Sequence, residues 1–581
     1  MYSENLDKDL IAFTQNPFTN VSYLKRKLRP LSIKSRFFWR FKYLRHFVKK
    51  GELKIIFYRE VINLLEEHVN IEKLSETENI SSSDSERVIE VVKKFFRLHT
   101  PLLEEYRDNK KISNVIKELL DLALLVKVGY QNDRICEAFK LNSKYQVNFL
   151  LESRIWLSFY LSELCFLIEN NKLVVQYYYD SFYLVTTDSF NEIIMRYWFS
   201  ETMEYSSNDA DLKTLHQIGL QSNINFLIYD KSYMESVTLL ILDKALSLRD
   251  DYLSEQYKNS EGYLLLKEIV AFSTLIEVYN LKGLGELPKC SVKECKYISE
   301  RSLYYLDSAI RYNDSNLVLG DLIHKNENCY FRGDLNFKYG LKLLIDRVFR
   351  LSFSTERERN WGQLLGDEFE KNYILKYINN AKLKKFKAFP GIKWKSKEKI
   401  EKYDIDLIIY DDEIKHYYFV QVKYISSKLP KYFTEQYQLY SGSKIQNGIR
   451  QLKAFKKNLF SSEIIRDKLL SRGIKNISTT NYSLLFVHNL PFLSFYEEDE
   501  IIFYEWNMFR GVLNGGEVIT FKDNERTVNY VNTKADFSNP DVIIKEYIED
   551  DNIGPGLLNN RDVFLSSRCH LTLGNHYVVV K

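Results

Sequence analysis

The sequence predicts an α+β multidomain chain, with a large, mainly helical N-terminal region followed by an α/β domain built on a mixed sheet. Three observations predict it. Apolar residues recur at three-and-four spacing through much of the first 350 residues, the period of helices with one buried face. Beyond about residue 350 the pattern becomes a helix, short strand-like runs with turn signals, a second helix and a further strand. The 581 residues are 45% apolar and 28% charged, with 42 Tyr and 37 Phe, ample material for more than one core. Gly (21) and Pro (9) are too scarce for collagen-like or Pro-rich architectures.

The elements follow in order. Residues 1–74 form a basic, aromatic segment. Lys25 to Lys50 holds eleven Lys/Arg and no Asp or Glu, interleaved with Phe37, Phe38, Trp39, Phe41, Tyr43 and Phe47. Cations neutralise phosphates and aromatic rings stack on bases, so Arg36, Arg40, Lys42 and Arg45 are candidate nucleic-acid contacts. The alternative is a basic amphipathic helix with core aromatics and solvated cations. Ser75 to Glu86 reads as a loop, and Ser83 and Glu86 have the spacing of a helix-capping box. Residues 84–350 are expected as a mainly helical domain, with apolar periodicity in Val88–Tyr106, Ile112–Val128, Ile155–Ile168, Val237–Leu248 and Leu264–Leu281. Leu173 to Thr187 instead alternates and predicts a hairpin.

The chemistry is concentrated in the next domain, residues 355–490. It opens with a helix over Leu364–Ile378 that carries Gly366, Glu368, Phe369 and Glu370. Ala381 to Ile400 then has eight Lys, Lys393 and Lys395 among them, against the single acid Glu398, a charge balance suited to a polyanion. Strands are expected at Tyr403–Tyr410 and Tyr417–Tyr424, a helix through Gly448–Lys453 and a third strand at Tyr482–Val487. Residues two apart on a strand share a face, so Gln421 and Lys423 project together, within reach of Asp406 on the neighbouring strand. Asp404 shares that face and remains an alternative, as does Glu368 for Glu370. Phosphodiester hydrolysis calls for a hard cation held by oxygen ligands, and a lysine to stabilise developing negative charge. Asp406, Gln421 and Glu370 offer the oxygens and Lys423 the cation. Residues 491–581 are a mixed, strand-leaning C-terminal segment.

The order G-x-x-F-E (Gly366 to Glu370), I-D-L-I (Ile405 to Ile408), V-Q-V-K (Val420 to Lys423), then a helix with Gln451, resembles the PD-(D/E)xK nuclease superfamily. It is most similar to the Mrr-type restriction-endonuclease branch, in which Q-x-K replaces E-x-K. The resemblance covers residues 361–489 only. It implies a restriction-endonuclease-like fold, a small mixed sheet flanked by helices, and Mg2+- or Mn2+-dependent cleavage of DNA, with RNA second. By the match, Asp406 is a metal ligand, Gln421 the substituted ligand position, Lys423 the catalytic lysine, Glu370 the helix carboxylate, and Gln451 a further contact. It further implies a role in prokaryotic restriction or antiviral defence, with the helical region engaging a protein partner or activator. The competing expectation is a non-catalytic nucleic-acid-binding or scaffold subunit with a degenerate nuclease fold.

Other chemistries find less in the sequence. Cys290, Cys295, His324 and Cys329 form C-x4-C…H-x4-C, too loose a spacing to favour structural zinc over ordinary thiols. A phosphate-binding G-x-x-x-x-G-K-[ST] loop, an H-E-x-x-H helix and a G-x-S-x-G elbow are all missing. Net charge is only +4, so nucleic-acid affinity must come from how the charge is distributed. Six Cys make no disulfide framework, the first residues lack a secretory pattern and the longest apolar run is too short for a bilayer. The expectation is a cytoplasmic protein without a membrane partner.

Overall fold

The computed structural model describes residues 53–61, 63, 168, 173–179, 181–186, 223–312, 322–333, 337–356, 360–395, 402–425, 442–490, 494–522, 525–556, 570–573 and 576–580. Arg36, Arg40, Lys42 and Arg45 lie outside the described residues, as do the periodic stretches 88–106 and 112–128 and nearly all of 155–168. The hairpin is found where expected: Leu173–Tyr178 pairs antiparallel with Ser181–Thr186.

Over residues 223–356 the described chain is mainly helical. Its long helices are α1 (Lys231–Leu246), α2 (Glu261–Leu281), α3 (Glu300–Ala309) and α4 (Phe337–Glu356). Asp230, Ser260 and Ser299 cap the first three, each side chain accepting a backbone N–H three residues on. Helix α2 is apolar almost all round and therefore sits inside the bundle. Its two buried carboxylates are matched. Glu268 accepts the N–H and hydroxyl of Ser299 at 2.9 and 2.8 Å, and Glu277 pairs with Arg332. Four short strands, Glu286–Pro288, Arg311–Tyr312, Ile323–Lys325 and Cys329–Arg332, form a small sheet within this half. At two to four residues each, they are too short for periodicity to reveal.

The second half is built on a six-stranded mixed sheet. One continuous helix leads into it: α5 (Trp361–Glu368), a π-helical turn (Phe369–Tyr373) and α6 (Ile374–Asn380). Strands β1 (Phe386–Lys395), β2 (Lys402–Asp411) and β3 (His416–Lys423) form an antiparallel meander. Helices α7 (Ser443–Asn458) and α8 (Glu463–Ser471) lie on the crossover to β4 (Tyr482–His488), which runs parallel to β3. Beyond residue 490, β5 (Glu497–Glu498) and β6 (Ile501–Glu505) extend the same sheet, and α9 (Trp506–Leu513) follows. The strand order is β5-β6-β4-β3-β2-β1. The fold is α+β. Among the described residues no helix is long and apolar enough to cross a membrane.

Each face of the sheet has its own core. Ile408, Phe419, Phe486 and Phe503 pack with Ile445, Leu452 and Phe455 of α7 and Ile465 of α8. Leu407, Ile409, Val420, Val422, Leu485 and Tyr504 belong to a larger core that includes Phe369, Tyr373 and Trp506 and runs on without a break into Leu266, Ile269 and Leu341 of the helical half. Both faces are covered, so the central strands read as continuous apolar runs. The outer edge of β1 is also occupied. Asn379 exchanges two hydrogen bonds with the Ala388 backbone, at 2.8 and 3.1 Å. Arg472 donates to the Gly391 carbonyl at 3.0 Å and Lys468 to that of Lys393.

Candidate active site

The register Leu407↔Val420 sets Asp406 beside Gln421. Asp406 Oδ2 accepts the Val422 N–H at 2.9 Å and the Gln421 side-chain amide, and lies 3.5 Å from Lys423 Nζ. Lys423 Nζ is 3.0 Å from Glu370 Oε2, and Glu370 Oε1 accepts the Tyr424 N–H at 3.2 Å. A strand of the meander, its neighbour and the entry helix thus bring four polar side chains together at the end of the sheet where β3 and β4 finish. The Lys423, Glu370 and Asp406 side chains keep 18%, 19% and 10% of their surface exposed, so a substrate can reach them.

The two alternatives left by the sequence separate in space. Asp404 faces Lys393 across the β1–β2 pair, with Lys393 Nζ at 2.8 Å. Glu368 is buried and turned toward the helical half, where it accepts from Ser254. Glu370 and Asp406 are the carboxylates that meet at Lys423. The π turn carries Glu370. Its first and last residues, Phe369 and Tyr373, are buried against the Trp506 ring and hold the turn in place.

Two glycines let the site assemble. Gly391 stands in β1 beside Ile405 and Asp406, and a methyl group there would overlap the Ile405 carbonyl oxygen. Gly448 lets α7 cross over Gln421; a Cβ there would press on the Phe486 ring and lie 3.1 Å from Gln421 Cγ. Gln451, three residues along α7, is half-buried and does not join the groups that meet at Lys423. Lys395 ends β1, but its side chain lies outside the described residues. His488 aligns with Lys423 in the β3–β4 register, and burial pushes its imidazole pKa down to about 3, so it adds no charge beside the lysine. Asn489 bridges β4 to the segment after β3, accepting the Ile425 N–H at 2.7 Å and donating to its carbonyl at 3.1 Å. Neither glycine nor His488 nor Asn489 was legible as part of the site, because each acts through a neighbour distant in sequence.

Burial pushes the Asp406 carboxyl up to about 7. The Lys423 charge and the Val422 N–H oppose that shift, while Glu370 and Asp404 reinforce it. A protonated carboxyl cannot serve as an anionic ligand. If cleavage needs the ionised form, the rate at limiting Mg2+ rises as pH climbs toward about 7 and levels above it. Added Mg2+ competes with the proton and shifts the midpoint down. Rate profiles at two Mg2+ concentrations check this, and a profile flat from roughly pH 5.5 to 8 contradicts it.

The donor set suits a hard cation. Gln421 is 1% exposed, and its Oε1 is a buried acceptor with no hydrogen-bond partner, beside a carboxylate that already takes the Gln421 amide on its other side. Asp406, Glu370, this amide oxygen and the strand carbonyls match the oxygen ligands preferred by Mg2+ or Mn2+. Among the described residues no three His, Cys, Asp or Glu side chains gather as a metal-binding group. Cys290 is exposed, Cys329 half-buried, His324 buried, and buried Cys295 donates to the Ser291 carbonyl. In comparisons with known proteins, no family model, no curated protein and no solved structure matches this chain.

Proposed function

We propose that this protein is a metal-dependent endonuclease that hydrolyses DNA phosphodiesters. The observation that carries the reading is the convergence of the partly exposed Asp406, Lys423 and Glu370 with the buried Gln421 amide beside them. The residues that carry the resemblance to PD-(D/E)xK nucleases of the Mrr type lie on a helix and two neighbouring strands of a mixed sheet, which supports the reading. Mg2+ or Mn2+ held by Asp406, Glu370 and the Gln421 amide oxygen would supply positive charge against the phosphate and acidify a water. Lys423 lies between two carboxylates and can donate hydrogen bonds to the attacking water or to a phosphate oxygen as charge builds there. Lys393, its side chain 70% exposed and ion-paired with Asp404, is a further candidate contact for a phosphate. A place in prokaryotic restriction or antiviral defence, and an activator acting through the helical half, rest on the resemblance.

One observation favours a second reading, that of a non-catalytic nucleic-acid-binding subunit. Gln421 is neutral and spends its amide on Asp406, so the site holds one carboxylate fewer than an E-x-K site. Cleavage of plasmid and single-stranded DNA by the full chain with Mg2+ or Mn2+, beside Asp406→Ala, separates the two. The nuclease reading expects cutting that the variant loses while still binding DNA. Salt-sensitive DNA binding by both, with cutting by neither, supports the second reading.

A further inference from the structure

We propose that Glu368 and Ser254 are positioning residues for Glu370, so that the helical half sets the carboxylate of the site through a clasp on the helix that bears it. The proposal rests on the nuclease reading and extends it to control of the same site. The clasp is Ser247–Ser254, which follows α1 and begins with Ser247 in the left-handed conformation at φ 59°. It grips the α5–π–α6 helix on successive turns. Glu368 accepts the Ser254 N–H at 2.6 Å and the Ser254 hydroxyl at 2.7 Å, and Asn372 donates to it at 2.8 Å. The Tyr373 hydroxyl donates to the Ser247 carbonyl at 2.9 Å and accepts the Arg249 N–H at 3.0 Å. Lys376 donates to the Leu253 carbonyl at 3.0 Å.

Glu370 stands between these anchors and points the other way, to Lys423 and the Tyr424 N–H. A helical segment held on one side and reaching into the site on the other cannot turn or slide without disturbing both. The grip brackets a π turn, a local interruption of the α-helical pattern that recurs at functional sites. Two of the three donors to the Glu368 carboxylate come from Ser254, so parting the clasp would leave a buried charge underpaired. The clasp therefore favours closed contact, and whatever displaces the helical half would displace Glu370.

The test measures Mn2+ binding by calorimetry, and cleavage against Mn2+ concentration, for the full chain and for Ser254→Ala, Ser254→Thr, Glu368→Gln and Asp406→Ala. Ser254→Ala and Glu368→Gln are expected to raise the Mn2+ needed for half-maximal cutting by roughly 10-fold or more, yet to approach the native rate at saturation. Ser254→Thr keeps the hydroxyl and should stay within about twofold of native. Should Ser254→Ala fail to fold, Glu368→Gln, which preserves shape, carries the comparison. Native-like Mn2+ demand in both overturns the positioning role and leaves the nuclease reading intact. Folded variants whose lost cutting no Mn2+ restores overturn it as well, since placement of a ligand is then not what they supply. If the native chain neither binds Mn2+ nor cuts, or binds no better than Asp406→Ala, the nuclease reading falls, and this proposal with it.

Discussion

Lys423→Ala should slow DNA cleavage on the order of 10²–10³-fold while leaving metal affinity equal to or higher than native. The ammonium lies 3.0 Å from Glu370 and 3.5 Å from Asp406, between two groups that would repel each other without it. Removing it leaves both carboxylates to the metal, so a divalent ion should bind more readily. It also removes the hydrogen-bond donor that meets negative charge in the transition state. Losing rate without losing metal is the signature of that role. Measuring kcat at saturating Mn2+ beside the Mn2+ dissociation constant decides it; a variant that cuts at the native rate would show that Lys423 is only an ionic partner of Glu370.

Gly391→Ala should cost about 3 kcal/mol or more, beyond the usual overpacking range for a methyl group, because the new atom meets backbone rather than a side chain that can move aside. Either β1 separates from β2 or the Ile405–Asp406 backbone moves. Asp406 shifts in both cases, so cleavage should fall together with stability. Urea unfolding gives the first quantity and a cleavage assay the second. Gly366→Ala is the control. Its methyl would lie 3.9 Å from Tyr424, an ordinary contact, and alanine within a helix should stabilise by about 1 kcal/mol. Similar stabilities for the two variants would contradict the close approach at Gly391.

The middle of the sheet was legible from sequence because its strands carry strong local signals. Tyr403–Tyr410, Tyr417–Tyr424 and Tyr482–Val487 were expected, and the structure has Lys402–Asp411, His416–Lys423 and Tyr482–His488. Each carries an apolar run, Leu407–Ile409, Tyr417–Val420 and Leu484–Val487, covered on both faces of the sheet. The alternation rule brought Gln421 and Lys423 to one face, and the structure places Asp406 and Glu370 beside them. Strand β1 was hidden. Its eight-lysine neighbourhood read only as a basic stretch, since what makes it a strand is its pairing with β2 and its long-range caps. Strand β6 was not singled out because its main pairing, parallel to β4, is long-range, and its short hairpin with β5 turns on Asp499-Glu500, which has none of the glycine or asparagine that marks such turns. Glu368 and Glu370 could not be told apart without the π turn, held against Trp506, and the clasp from the helical half.

The covered edge of β1 bears on how copies of this protein meet one another. A ten-residue edge strand ordinarily offers a row of free N–H and C=O groups to a strand from another chain, a route to intermolecular sheets and fibres. Here Asn379 occupies the backbone at Ala388, Pro390 has no N–H to give, and Arg472 and Lys468 occupy the carbonyls of Gly391 and Lys393. Every one of these blocks comes from the same chain and is in place once α6 and α8 have docked. The strand that positions Gly391 beside the site is thereby withheld from neighbouring molecules, and crowding many copies together need not recruit it into aggregates.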